Sequence, residues 1–125
     1  MFYIGVDLGG TNIAAGLVNS EGKIIAKGSV PTLRKREYPE IIKDMAALIF
    51  DLINSQGMNI SDFHSIGVGS PGIPDCSEGK IVYASNINFR DLPLRKELQK
   101  YINLPVYVNN DANIAEFAES VAGAA

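Results

Sequence analysis

Two apolar runs near the amino terminus predict a β-hairpin. Phe2 to Leu8 is apolar and β-prone and stops at two glycines, and a second apolar run extends from Ile13 to Val18. Two such runs separated by a short glycine-containing segment are typical of paired antiparallel strands. After a Ser-Glu-Gly turn signal, charged and apolar residues alternate from Lys23 to Val30. That alternation predicts a third antiparallel strand.

From Pro39 onward the hydrophobic pattern changes to a helical period. Apolar residues recur three and four positions apart as far as Ile53, and Gly57 follows as a stop signal. This spacing predicts a long amphipathic helix. A last amphipathic helix is predicted after the asparagines that precede Asp111. Its apolar face consists of Ile114, Phe117, Ala118 and Val121.

The middle of the chain predicts alternating strands and helices. Ser65–Gly69 is predicted as a short strand and Val106–Val108 as a buried strand, whereas Asp91–Tyr101 is predicted as a helix with Asp91 as its cap. The predicted order is three strands, helix, strand, helix, strand, helix. It favours the α/β class, with a mixed sheet and helices on its faces.

Size and composition exclude several classes of protein. Independent domains usually span about 100 to 200 residues, so 125 residues predict one domain without room for a two-lobed enzyme. The formal net charge of -3 lacks the basic excess that nucleic-acid binding needs, and no apolar run is long enough to cross a membrane. Cys76 is the only cysteine, which fits a reducing, cytoplasmic location. We interpret the small apolar residues at the carboxyl terminus as the cut end of a longer chain.

The first candidate for chemistry is DLGGTN, residues Asp7–Asn12. Glycines allow the backbone to approach an anion, and successive amides of a tight turn bind phosphate. Thr11 adds a hydroxyl donor. A carboxylate beside phosphates is disfavoured unless a cation lies between them, so Asp7 would face magnesium or its water shell. The alternative is an ordinary Gly-Gly hairpin turn with Asp7 as its cap.

The second candidate is GVGSPG, residues Gly67–Gly72, which matches the glycine spacing of dinucleotide-binding proteins. That fingerprint requires a helix to begin on the loop. Pro71, Pro74 and Gly79 forbid one, so we reject a Rossmann-type site. The segment is then either a ligand-binding loop at the end of a buried strand or a proline-rich turn.

The third candidate is VYVNNDAN, in which a predicted strand ends in a cluster of amide and carboxylate side chains. Its members are Asn109, Asn110, Asp111 and Asn113. Phosphorylation of an alcohol requires a carboxylate within hydrogen-bond reach of the hydroxyl, with neighbours that hold the rest of the polyol. Asp111 could be that carboxylate, although Asn110 or Asp111 could also simply cap the last helix. A cap uses one residue, so the surplus of polar residues favours a site.

Three segments combine these candidates in a specific order and spacing. They are DLGGTNIAAGLV at 7–18, GVGSPGIPDCSEGKIVYASNINF at 67–89 and LPVYVNNDANIAEFAE at 104–119. Together they resemble the ROK family of bacterial sugar kinases and sugar-responsive repressors, and the glucokinase type most of all. The resemblance implies that residues 1–125 are the amino-terminal lobe of a ribonuclease-H-like, actin-like ATPase fold. It also implies ATP and Mg²⁺ as cofactors, a hexose as the substrate, a role in glycolysis, and a homodimer when the protein is complete.

The resemblance also assigns roles to individual residues. It places the phosphates of ATP on Gly9, Gly10, Thr11 and Asn12, and the metal beside Asp7. Family members often have a lysine where Asn12 stands. The sugar contacts would fall on Gly72, Asn86, Asn110 and Asp111. Asp111 matches the catalytic base, which would orient and deprotonate the sugar 6-hydroxyl.

Further expectations concern what this segment lacks. The family's second phosphate motif, its adenosine site and its cysteine-rich structural zinc motif would lie beyond residue 125. ROK kinases close two lobes around the substrate, so this lobe alone is expected to be inactive.

The alternative function is the sugar-sensing domain of a ROK-type repressor without kinase activity. Such repressors carry a helix-turn-helix before the first strand, and Met1 opens directly onto that strand, which favours the kinase. An actin-like or chaperone-type ATPase would share the first motif but would not require NNDAN.

Overall fold

A five-stranded mixed sheet forms the centre of the computed structural model, which describes residues 1–9, 11–33, 37–70, 73–75, 80–84 and 89–110. The strands of the described residues are β1 (Phe2–Leu8), β2 (Asn12–Val18), β3 (Ile24–Pro31), β4 (Phe63–Ser70), β5 (Ile73–Asp75), β6 (Lys80–Ala84), β7 (Phe89–Leu92) and β8 (Val106–Asn110). The central sheet has the order β3-β2-β1-β4-β8. Its first three strands are antiparallel neighbours, whereas β4 runs parallel to β1 and β8 parallel to β4. The predicted α/β class and the three initial antiparallel strands are confirmed.

The α-helices of the described residues are α1 (Tyr38–Ser55) and α2 (Leu94–Leu98), and a single 3₁₀ turn covers Ile60–Asp62. The periodicity that predicted α1 is confirmed, with Pro39 in its first turn and a buried stripe along one face. The buried residues of α1 are Ile41, Ile42, Met45, Ala46, Leu48, Ile49, Leu52 and Ile53. Neither helix is both long and apolar enough to cross a membrane.

The hydrophobic core lies between α1 and one face of the central sheet. Alternate residues of β1 and β2 point into it, and α2 and β8 extend it at the far end. The fully buried members include Ile4, Leu8, Ile13, Leu17, Met45, Ile49 and Ile66. Because side chains alternate across a strand, this packing determines which residues of β1 point to the opposite face.

A second sheet, β5-β6-β7, was not predicted. Its strands are antiparallel, and Ile81 and Tyr83 of β6 lie opposite Leu92 and Arg90 of β7. The segment after the predicted strand was expected to be a ligand-binding loop or a proline-rich turn, whereas Pro74 lies within β5. Here β5 lies at the edge of its sheet, where a proline is tolerated.

The helix predicted over Asp91–Tyr101 is present only as α2, Leu94–Leu98, and the prediction of Asp91 as its start and cap was wrong. Asp91 lies within β7, and α2 begins only at Leu94, after Pro93. The residue before a proline is sterically driven to an extended conformation, so Leu92 ends a strand instead of opening a helix. The Glu97 amide donates to the Pro93 carbonyl at 2.9 Å, which closes the first turn of the short helix.

Gly57 ends α1 with a left-handed residue. Its φ is +64°, its amide donates to the Asn54 carbonyl at 3.1 Å, and the Met58 amide donates to the Ile53 carbonyl at 3.1 Å. This pair of bonds is the Schellman arrangement, in which glycine is favoured because its positive φ has no steric cost.

We expect Gly57→Ala to lower the free energy of unfolding by about 1 kcal/mol, which corresponds to roughly 2–4 °C in the thermal midpoint of a protein above 150 residues. The cause is the positive φ alone, because an added Cβ would meet nothing within 4 Å. Thermal unfolding of the complete natural chain measures the change. Gly57→Asn is the control and should lose less, since asparagine tolerates the left-handed region. Equal losses in both variants would contradict this explanation.

Candidate functional site

The carboxyl ends of β1, β4 and β8 meet at one edge of the central sheet. Asp7 of β1 is paired with Gly69 of β4, and Gly69 is paired with Asn109 of β8. Adjacent strands lie about 4.8 Å apart, so the backbones at Asp7 and Asn109 are roughly 10 Å apart. The register therefore brings DLGGTN and the start of NNDAN to the same edge. In open α/β sheets, ligands bind outside the carboxyl ends of the strands.

The turn between β1 and β2 is tight at Gly9. The Gly9 amide donates to the Asn12 carbonyl at 3.0 Å, and a Cβ added to Gly9 would lie 2.8 Å from that carbonyl oxygen. A side chain cannot be accommodated at that distance without a shift of the backbone. Thr11 and Asn12 are exposed, so the turn is accessible to a ligand.

A buried threonine makes two hydrogen bonds to the backbone of this turn. Thr32, which follows the end of β3, donates its Oγ1 hydroxyl to the Gly9 carbonyl at 2.8 Å, and its amide donates to the Thr11 carbonyl at 2.9 Å. The side chain of Thr32 is 0% exposed. No local motif marks this residue in the sequence, because Thr32 and its partners lie more than 20 positions apart in the chain.

Asp7 lies on the sheet face opposite to the α1 core. Its neighbours Val6 and Leu8 point into that core, and Asp7 is half-buried at the end of β1. Mg²⁺ prefers oxygen ligands and commonly uses one or two carboxylates, completing its shell with water and phosphate. In the described part of the chain, no group of three or more His, Cys, Asp or Glu residues is assembled for a metal. A single carboxylate at this position is compatible with a hydrated magnesium ion, which keeps several water ligands.

The remaining predicted site residues are described only in part. Asn110 is the last residue of β8 and its backbone is paired with Ser70, one position beyond the pair at Asn109. Gly10, Gly72, Asn86 and Asp111 lie outside the described residues. β4 is followed by β5, in agreement with the rejection of a Rossmann-type site at Gly67–Gly72.

Comparison with known proteins gives a consistent result. The sequence profile of the ROK family matches residues 3–125. The glucokinase of Halalkalibacterium halodurans is 37% identical over 123 residues, which are 98% of this chain and 37% of that protein. The xylose repressor of Bacillus spizizenii is 35% identical over 99% of this chain and 32% of that protein.

A solved structure has the same fold over most of the chain. The ROK family glucokinase from Streptomyces griseus, crystallised in complex with glucose and AMPPNP, superposes with a TM-score of 0.79. It is 34% identical and covers 90% of this chain and 34% of that one. The fold is that of the actin-like ATPases. The chain spans about a third of the length of the relatives it matches.

We expect Gly9→Ala to lower the free energy of unfolding by about 1–3 kcal/mol, because the new Cβ would force the backbone of the turn apart. Thermal unfolding of the complete natural chain tests this. Gly28→Ala on β3 is the matched control. Its Cβ would lie 3.4 Å from the flexible ends of Leu48 and Leu52, so its stability should stay within about 1 kcal/mol of the wild type. Equal destabilisation of the two variants would show that the Gly9 turn is not the tight position.

Proposed function

The chain belongs to the ROK family, and on that premise we propose that residues 1–125 are the amino-terminal lobe of an ATP-dependent hexose kinase of the glucokinase type. The reaction transfers the γ-phosphate of ATP to the 6-hydroxyl of the sugar. The observation that supports this proposal most directly is the register that places Asp7, Gly69 and Asn109 side by side. A phosphate donor and an alcohol acceptor must be bound next to each other for direct transfer.

On the donor side, we assign the phosphates of ATP to the turn after β1. The residues are Gly9, Gly10, Thr11 and Asn12. Backbone amides of a glycine turn and the Thr11 hydroxyl would donate hydrogen bonds to phosphate oxygens. Gly9, whose own amide donates to the Asn12 carbonyl, would serve by allowing close approach of the backbone. Asp7 would hold the water shell of Mg²⁺, whose chemistry is to neutralise the charge of the phosphates.

On the acceptor side, we assign the hexose to residues that follow β4 and β6 and to residues at and after the end of β8. Gly72, Asn86 and Asn110 would contact the sugar, and Asp111 would accept the proton of the 6-hydroxyl while orienting that oxygen toward the phosphate. The polar residues at the end of β8 support this assignment, as does the similarity to a structure crystallised with glucose and AMPPNP. Phosphoryl transfer passes through a loose transition state, so the carboxylate acts mainly by positioning the hydroxyl, and the proton of that hydroxyl can be lost late.

The alternative function is the sugar-sensing domain of a ROK-type repressor without kinase activity. The specific observation in its favour is the xylose repressor of B. spizizenii, whose identity to this chain is close to that of the glucokinases. Both candidate functions predict sugar binding at the end of β8. They differ in whether ATP is consumed.

The cellular setting is also part of the proposal. We place the complete protein in the cytoplasm, in glycolysis and as a homodimer. The single cysteine, Cys76, fits a reducing compartment. A zinc site of the kind found in the family would require cysteines from outside this segment.

We expect Asp111→Asn to lower kcat for hexose phosphorylation by about 10²–10⁴, because the amide keeps the shape of the side chain but cannot accept the proton. ADP release by the complete natural chain with a panel of hexoses and amino sugars measures the loss. Asp51→Asn is the control, because Asp51 is an exposed carboxylate on α1. It should keep wild-type turnover. If the wild type binds a sugar but releases no ADP, the kinase assignment is refuted and the sugar-sensing domain of a repressor takes its place.

Residues 1–125 expressed alone are expected to show negligible sugar phosphorylation. Kinases that close two lobes assemble the site and exclude water only when both lobes are present. The measurement is coupled ADP release by the segment beside the complete chain at equal concentration. Turnover by the segment comparable to that of the complete chain would refute the assignment of residues 1–125 as one lobe of the site.

A further inference from the structure

We propose that Thr32 is a positioning residue for the phosphates of ATP, which acts by holding the Gly9–Asn12 turn in its binding conformation. The proposal rests on the proposed function, since it assigns a task to a residue outside the turn that binds the nucleotide. Thr32 is not part of any of the three motifs that carry the family resemblance.

The evidence begins with the two hydrogen bonds that Thr32 makes. Its hydroxyl donates to the Gly9 carbonyl at 2.8 Å and its amide donates to the Thr11 carbonyl at 2.9 Å. One residue thus binds the carbonyls of two of the turn residues. In the described part of the chain, the buried polar residues are Thr32 and Ser65.

The direction of the two carbonyls explains why the hydrogen bonds from Thr32 matter for the binding of an anion. A carbonyl oxygen carries partial negative charge, so a carbonyl that faced a phosphate would repel it. Both carbonyls are instead directed to Thr32, which is fully buried. The Gly9 amide donates within the turn to the Asn12 carbonyl, and Thr11, whose hydroxyl is a further donor, is exposed. Donors that are oriented before the ligand arrives need no reorganisation when it binds.

The backbone after Thr32 indicates that its placement has a cost. Leu33 has a φ of +51° and is 59% exposed. A leucine rarely adopts this left-handed conformation, which is sterically unfavourable for residues with a Cβ. A strained residue persists only where its surroundings enforce it. The strained Leu33 directly follows Thr32, both of whose donors are directed at the turn.

Three variants of the complete natural chain test the proposal. Thr32→Val removes the hydroxyl and keeps the shape, Thr32→Ser keeps the hydroxyl, and Ser65→Ala removes the other buried hydroxyl. Ser65 lies on β4 four residues before Gly69, which pairs with Asp7, and therefore away from the carboxyl edge. The readouts are KM for ATP, KM for the sugar, kcat and the thermal midpoint.

We expect Thr32→Val to lower kcat/KM for ATP about tenfold, as for the loss of a donor to a partly buried carbonyl, while KM for the sugar changes less than about twofold. Thr32→Ser should remain within about threefold of the wild type, since it retains the donor. Ser65→Ala should lose thermal stability and keep the wild-type kcat/KM for ATP. This pattern separates positioning of the phosphates from a general contribution to stability.

Three results would overturn the proposal while leaving the proposed function intact. They are an unchanged kcat/KM for ATP in Thr32→Val, an equal loss in Thr32→Ser, and an equal loss in Ser65→Ala. Failure of Thr32→Val to fold, with Thr32→Ser folded, would also overturn it, because the hydroxyl would then serve the whole fold. A wild-type protein that neither binds ATP nor releases ADP with any sugar would instead refute the proposed function, and the role of Thr32 with it.

Discussion

The parallel register of β1, β4 and β8 is the constraint on which the candidate site depends. Side chains alternate between the two faces of a strand, so a slip of one residue in β1 would turn Asp7 into the core and Val6 out of it. The burial of Ile4, Val6 and Leu8 in the hydrophobic core prevents such a slip. The same hydrophobic contacts that stabilise the sheet therefore determine which polar residues reach its carboxyl edge.

The elements predicted from the sequence are those with a strong local pattern. β1, β2 and β3 alternate or form apolar runs bounded by turn residues, and α1 has a continuous apolar stripe. The second sheet was missed because β5 contains only three residues and one of them is Pro74. β5 is stabilised by its pairing with β6, and the propensities of its own residues do not reveal such pairing. The start of α2 differs from the prediction for a local reason, because Pro93 drives Leu92 to an extended conformation and the strand continues to Leu92.

The candidate site was predictable where its chemistry and its geometry lie in the same few residues. Gly9 is an example, because the need for glycine arises within the turn itself. Thr32 had no such signal. A threonine after a proline at the end of a strand is ordinary, and its importance becomes visible only when the fold brings it to the Gly9 carbonyl. The role of Asp111, outside the described residues, stays a prediction.

The two sides of the site differ in how the chain encodes them. The shape of the turn after β1 depends on residues 7–32, a single contiguous stretch that closes on itself through β2 and β3. The opposite side comes from the end of β8, which a long connection brings into place. If the proposed assignment of the sugar to this later segment holds, mutations there can alter the small molecule that is recognised while the turn stays intact. Such separate encoding allows one inherited scaffold to diversify its specificity, as in a family that includes both glucokinases and xylose repressors.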